Sequence, residues 1–241
     1  MATVTIPDTQ SASRKVRESL DHPVIDGDGH VQELGFVFPD FLKQVGGTGL
    51  VAKWEEARKT PSVDKTRLTL WNVPSGKHTI DRATAMLPKL RKARQEDSGI
   101  DFAVIYTTFG LSVWGLRDDE LRQAGCRALN LMNADLFSDV GDRMTPAAAI
   151  PMNTPEEAIS ELDFAVGGLG MKAVVMRGDM RDAIPEILER APDLAPYTTK
   201  VFSLTIDSEH DYDPVWQRCA DLGISPTFHS SGRGYVLRRS P

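Results

Sequence analysis

Short apolar runs that alternate with helical stretches constrain the fold more than any other feature of this sequence. We count five such runs, centred near residues 24, 103, 148, 174 and 227. Continuous apolar runs of this length are typical of parallel strands that helices cover on both faces. The pattern therefore predicts an α/β fold. It is either an open parallel sheet or an incomplete (β/α)8 TIM-type barrel, with about five of the eight strands of a closed barrel present.

The remaining segments fit around these runs. Residues 1–22 are polar and are expected to form a flexible N-terminal arm or a peripheral helix, so the partial barrel occupies 23–241. Glycines and prolines interrupt 34–97, which we interpret as an insertion with short helices. Thr154 and Pro155 have the character of a helix N-cap and first helical residue. Further helices are predicted at 38–45, 51–58, 82–96, 118–137 and 213–222.

The net charge and the cysteine content indicate which kinds of partner the protein is expected to lack. The net charge is −6 and the isoelectric point is near 5.4, whereas binding to nucleic acid or to an anionic membrane needs a concentrated positive field. Cys126 and Cys219 do not form a zinc or disulfide spacing, and the first twenty residues have no signal-peptide pattern. We therefore expect a cytoplasmic protein that binds no nucleic acid and no membrane; a homo-oligomer is possible.

The clearest chemical signal follows the first apolar run. Asp26, Asp28 and His30 alternate with glycines, and on a regular strand this spacing would place all three side chains on one face. Active sites of parallel β/α folds form at the carboxyl ends of the strands. Carboxylate and imidazole groups there suit a divalent cation. The alternative is a polar turn, in which Asp-Gly is a common pair.

A second histidine strengthens the metal hypothesis. His229 ends the fifth apolar run, so it would leave the sheet at the same edge as His30. A single buried histidine is more often a core residue, but two histidines and a carboxylate at two strand ends favour a metal site.

Several segments resemble the amidohydrolase-related (amidohydrolase family 2) metal-dependent hydrolases and decarboxylases. The first-strand motif is Val24-Ile-Asp-Gly-Asp-Gly-His-Val-Gln-Glu33. Two further matches begin at Ile150-Pro-Met-Asn-Thr-Pro and at Tyr212-Asp-Pro-Val-Trp, and the order and spacing of the segments span about 23–235.

The resemblance implies specific roles. The family's paired first-strand ligands fall on Asp28 and His30, and its fifth-strand histidine falls on His229. One divalent metal ion is implied, zinc first, with manganese or iron as alternatives, and the reaction would be hydrolysis or decarboxylation of a small carboxylated or cyclic substrate. The family also uses a histidine after the sixth strand and an aspartate after the eighth, which this sequence does not contain. The alternative is therefore a truncated, catalytically inactive relative that acts as a metal-binding or assembly partner.

Other residues receive supporting roles. Arg177 follows the fourth run and could bind a substrate carboxylate, or else form a structural pair. Tyr106 ends the second run and is expected to contact substrate, with the threonines after it shaping the same pocket. Asp26 is expected to orient His30 or the backbone. We expect His210 to be a solvated loop residue, and Trp71, His78 and Trp114 to be packing or insertion residues. An open nucleotide-binding fold is disfavoured because no glycine-rich phosphate loop follows the first strand.

Overall fold

The computed structural model describes residues 11–59, 79–182, 184–198, 200–203 and 208–229. The chain divides into two compact units: Met1–Phe109 with Leu131–Ala147, and Gly110–Asn130 with Ala148–Pro241. Trp71 and His78, expected to be packing or insertion residues, lie outside the described residues.

Strands and helices alternate along both units. The strands are β1 Ile25–Val31, β2 Phe102–Thr107, β3 Met144–Ala149, β4 Ala173–Met176, β5 Asp179–Asp182, β6 Lys200–Ser203 and β7 Pro226–Phe228. The helices are α1 Ala12–Glu18, α2 Phe38–Lys59, α3 Thr79–Met86, α4 Pro88–Arg94, α5 Asp119–Leu136, α6 Pro155–Leu162, α7 Pro185–Arg190 and α8 Asp213–Asp221. None of the helices in the described part of the chain is long and apolar enough to cross a membrane.

In the first unit, parallel pairing organises the sheet. β1 pairs with β2, and β2 pairs with β3, both in parallel. The core beneath them is formed by Val31, Ala103, Ile105, Phe137, Val140 and Met144. A parallel sheet with helices between its strands confirms the α/β prediction.

The first unit also contains the predicted insertion helices. Two helices expected at 38–45 and 51–58 are merged into α2, but non-helical angles at Gly46 and Gly47 divide it. Gly47 has a φ of 76°, which glycine adopts without the steric cost that a side chain would add. Part of the stretch expected to be an arm or peripheral helix forms α1, with the Ser11 hydroxyl accepting a hydrogen bond from the Arg14 N–H.

In the second unit, β4 and β7 pair in parallel, with Met176 opposite Phe228. The Thr154 hydroxyl caps α6 by accepting from the Glu157 N–H at 3.2 Å, as the sequence predicted. α6 and α8 cover the same core, to which Ile150, Leu162, Val174, Met176 and Val215 contribute.

One element of the second unit was not predicted. β5 and β6 form an antiparallel pair in a region that the sequence indicated only as loose and proline-rich. Both strands have four residues, and each carries charged or polar side chains. Neither therefore shows the apolar run by which the other strands were found.

Buried polar groups join α5 to α6 in the second unit. The Arg122 guanidinium donates to the Glu157 carboxylate at 2.6 Å and 3.3 Å. Asn130 donates to Glu161 at 2.8 Å and accepts from the Ala149 N–H at 2.8 Å. Because these groups are buried, removing one partner would leave polar atoms of the other short of a hydrogen bond, which costs more than the bond itself contributes.

Glu161 provides a test of this buried network. Burial raises the pKa of its carboxyl to about 7, despite the hydrogen bond from Asn130 and the nearby Arg127. The folded pKa is above the unfolded value, so the contribution of this group to stability is full at low pH and is lost as pH rises through about 7.

We predict that Glu161→Gln becomes more stable relative to the wild type when pH is raised from about 5 to about 8. The relative gain should be about 2 kcal/mol, since each unit of pKa difference corresponds to about 1.4 kcal/mol. Urea denaturation at the two pH values measures it. Glu156→Gln on the same helix is the control: the pKa of Glu156 is lowered by backbone and Thr154 hydrogen bonds, so its carboxylate is ionised at both pH values. A constant difference between Glu161→Gln and the wild type would contradict the assignment.

Candidate metal centre

The first half of the candidate centre lies at the end of β1. His30 pairs with Tyr106 of β2 in the strand register, and their ring centroids are 6.0 Å apart. The Nε2 atom of His30 is 3.8 Å from a carboxylate oxygen of Asp28. The His30 side chain is only 11% exposed, whereas Asp28 is 78% exposed. An imidazole nitrogen and a carboxylate oxygen are thus presented side by side.

An irregularity in β1 sets the directions of these side chains. Asp26 is paired with Ala103 and Gly29 with Ile105, so β1 has one more residue than β2 between the two pairs. This is a β-bulge, and the strict alternation expected from Asp26 to His30 does not hold across it. The bulge lies between Asp26 and Gly29, next to the candidate ligands.

The Asp26 carboxylate contacts the backbone of β1 and a side chain of α4. Its carboxylate accepts from the Asp28 N–H at 3.1 Å and lies 3.6 Å from the Arg91 guanidinium. Arg91 in turn donates to the His30 carbonyl at 2.6 Å. Burial lowers the pKa of Arg91, and the charge of Asp26 opposes that shift. The sequence did not point to Arg91, because a basic residue on a charged helix face usually faces solvent.

The Nδ1 edge of the His30 ring contacts the residue that follows β2. The Nδ1 atom of His30 is 3.1 Å from the Thr108 hydroxyl. Thr107 and Thr108, expected to shape the pocket, both contact Glu33, which is 5% exposed. The Glu33 carboxylate accepts from the Phe109 N–H at 2.8 Å and from the Thr108 N–H at 3.2 Å, and also from the Thr107 hydroxyl. Burial raises the pKa of Glu33, and these hydrogen bonds oppose the shift.

A cavity of about 370 Å³ borders Asp28 and His30. Arg91 and Arg94 line its other side. The Arg94 guanidinium donates to the Thr84 hydroxyl at 2.6 Å and forms an ion pair with the Asp81 carboxylate at 3.0 Å.

The second unit holds the other two predicted site residues. Arg177 follows β4 and His229 follows β7, so they leave neighbouring parallel strands at the same edge. The His229 N–H donates to the Met176 carbonyl at 3.1 Å. Arg177 is buried and donates to the Trp114 carbonyl at 3.0 Å, which is a structural contact of the kind that the sequence left open. Trp114 itself is buried, as expected, and His210 is an exposed loop residue, also as expected.

A family model described as Amidohydrolase matches residues 28–238. The chain belongs to the amidohydrolase family. No curated protein matches the chain in sequence, but solved structures share the fold. The 2,6-dihydroxybenzoate decarboxylase from Rhizobium has a TM-score of 0.55 at 15% identity, over 91% of this chain and 55% of that one.

Two other solved structures share the fold of this chain. An amidohydrolase from Mycobacterium avium subsp. paratuberculosis K-10 has a TM-score of 0.55 at 20% identity, over 90% of this chain and 60% of that one. A dihydroxybenzoic acid decarboxylase from Polaromonas sp. JS666, solved with manganese and 2-nitroresorcinol, has a TM-score of 0.51 at 18% identity, over 89% and 52%.

These likenesses confirm the incomplete (β/α)8 barrel. Five parallel strands occur in the described residues, three in the first unit and two in the second. This amidohydrolase spans between about half and three-fifths of the length of the solved structures that it matches.

Substitution of Gly29 tests how tightly β1 is packed behind the candidate ligands. A Cβ atom at this position would lie 2.7 Å from the Arg91 guanidinium and 2.9 Å from Ile105. We predict that Gly29→Ala destabilises the amidohydrolase by about 1–3 kcal/mol, as overpacking does, and displaces Arg91 from the His30 carbonyl.

Gly27→Ala is the matched control, because a Cβ atom there has no neighbour within 4 Å. Thermal and urea denaturation of both variants measure the difference. Equal stability of the two variants would contradict the close approach of Arg91 to β1.

Proposed function

We propose that Asp28, His30 and His229 together bind one divalent metal ion, and that this centre acts on a small carboxylated or cyclic substrate by hydrolysis or decarboxylation. Zinc is the first candidate and manganese the second, with iron also compatible. The observation that carries the proposal is that the Nε2 atom of the half-buried His30 imidazole lies 3.8 Å from the exposed Asp28 carboxylate.

The donor set supports a metal of this kind. Imidazole nitrogen and carboxylate oxygen atoms are ligands for zinc, manganese and iron. His30 is already held through its other nitrogen, as metal-binding histidines usually are. Family membership supports His229 as the third ligand, because it occupies the fifth-strand position of the family motif. Manganese in the Polaromonas structure supports that metal as an alternative to zinc.

A bound divalent ion would polarise a substrate oxygen or lower the pKa of a bound water. The residues of this chain would hold the ion and bind the substrate. Asp28 and His30 would hold the ion, Tyr106 would contact the substrate beside His30, and the Arg177 guanidinium would bind a substrate carboxylate. Asp26 would keep the Asp28 backbone in place through its 3.1 Å hydrogen bond.

Metal binding and turnover are separate claims for this chain. It spans about 55% of the Rhizobium decarboxylase, and turnover needs groups beyond the three proposed ligands. A second candidate function is therefore a metal-binding or assembly partner without turnover. Three protein ligands can hold a metal ion with coordination positions left open, so metal binding does not by itself require the further groups that catalysis uses.

We predict about one equivalent of zinc or manganese per chain after metal supplementation, measured by inductively coupled plasma mass spectrometry and calorimetric titration. His30→Ala, Asp28→Ala and His229→Ala should each lower the affinity at least tenfold, because each removes one ligand atom. His22→Ala is the control, since His22 is exposed and contacts only the Pro23 carbonyl in the described residues. Stoichiometric binding that survives His30→Ala and His229→Ala would contradict the site.

Turnover is tested separately with the metal-loaded protein. Carbon dioxide release from 2,6-dihydroxybenzoate, the substrate named for the Rhizobium relative, is compared between the wild type and His30→Ala. Release that requires His30 supports the enzyme. Stoichiometric metal binding without release from this or other hydroxybenzoates favours the partner without turnover.

A further inference from the structure

Three hydrogen bonds to one buried carboxylate fix the end of β2. Glu33 accepts from the N–H groups of Thr108 and Phe109 and from the Thr107 hydroxyl. A buried carboxylate is stable only when its oxygens are hydrogen-bonded in this way. Glu33 comes two residues after β1, so the contact joins the segments that follow the two strands.

The group that this contact positions is the Thr108 side chain. Its backbone N–H is bound to Glu33, at 3.2 Å from each carboxylate oxygen, and its hydroxyl lies 3.1 Å from Nδ1 of His30. The backbone of His30 is held separately by Arg91. The Thr108 hydroxyl is thus a polar partner at Nδ1 of the ring, and Glu33 places it.

The two nitrogens of a neutral imidazole cannot both be acceptors. When Nε2 uses its lone pair for a metal, Nδ1 carries the proton and must donate it. The Thr108 hydroxyl is the acceptor at that position. An acceptor at Nδ1 fixes both the tautomer and the plane of a metal-binding histidine, and its loss typically lowers metal affinity about 10–100-fold.

We infer that Glu33 and Thr108 are positioning residues for the metal centre: Glu33 fixes the turn after β2, and the Thr108 hydroxyl accepts the Nδ1 proton of His30 so that Nε2 faces the metal. This inference rests on the proposed function, and neither residue contacts the metal itself.

The variants separate positioning from simple structural support. Thr108→Val keeps the size of the side chain and removes the acceptor, whereas Thr108→Ser restores it. Thr107→Val removes a neighbouring hydroxyl that also binds Glu33 but is not hydrogen-bonded to His30. Glu33→Gln keeps the size of Glu33 but replaces one acceptor oxygen with an NH₂ group. Zinc affinity is measured by competitive titration, and the His30 Nδ1 proton is observed by nitrogen-15 NMR of the zinc-loaded protein.

We expect Thr108→Val to lose about 10–100-fold in zinc affinity and to lose the slowly exchanging Nδ1 proton signal. Thr108→Ser should recover both, and Glu33→Gln should weaken zinc binding with Thr108 still present. Thr107→Val should lose less of the affinity and of the Nδ1 proton signal than Thr108→Val, because it keeps the acceptor at Nδ1. Thermal denaturation of the metal-free variants verifies that each is folded.

The inference is overturned if the wild type binds zinc and Thr108→Val retains both its affinity within twofold and the Nδ1 proton signal; the metal proposal would then stand. If the wild type binds none of zinc, manganese and iron, the proposed function fails, and the inference fails with it. Should Glu33→Gln not fold, the Thr108 pair still decides the matter.

Discussion

The parallel pairing of β1 with β2 is the constraint on which the candidate centre depends. The register places His30 opposite Tyr106 and Val31 opposite Thr107, so the end of β2 lies beside the candidate ligand of the first strand. The bulge between Asp26 and Gly29 adds one residue to β1 and shifts its register against β2. Without that extra residue, the register that positions His30 would shift by one, and its side chain would point to the other face.

Close packing behind β1 depends on the same bulge. Gly29 leaves room for the Arg91 guanidinium, which reaches the His30 carbonyl and the Asp26 carboxylate. Arg91 and Glu33 are both charged groups removed in part from water, and both are matched by polar partners. The backbone and the ring of His30 are thus held by different residues, as a preorganised ligand requires.

Much of the framework follows from simple sequence signals. The five apolar runs correspond to β1, β2, β3, β4 and β7. β2, β3 and β4 are largely buried, as continuous apolar runs predict, whereas β1 and β7 are more exposed. Thr154 caps α6 as predicted, since capping depends on residues three apart. β5 and β6 were missed because their side chains are mixed, and they are defined by pairing between residues that lie far apart in the sequence.

The candidate metal ligands could be predicted from the sequence, but the residues that hold them in place could not. Asp28 and His30 are visible as residues that follow an apolar run. The roles of Glu33, Thr108 and Arg91 follow only from the contacts that they make in the folded structure. The sequence alone does not indicate these contacts. Asp26 was expected to orient His30 or the backbone, and its hydrogen bond to the Asp28 N–H is of the second kind. The bulge itself has no sequence signal beyond the two glycines.

The most direct test is a crystal structure of the protein loaded with manganese, with the ion located by anomalous scattering. We expect one strong peak at about 2.0–2.3 Å from His30 Nε2, bound also by Asp28 and His229, with Nδ1 of His30 still on the Thr108 hydroxyl. A peak bound to Nδ1 instead, or manganese bound only at sites remote from His30, would contradict the central claim that β1 presents His30 as a metal ligand.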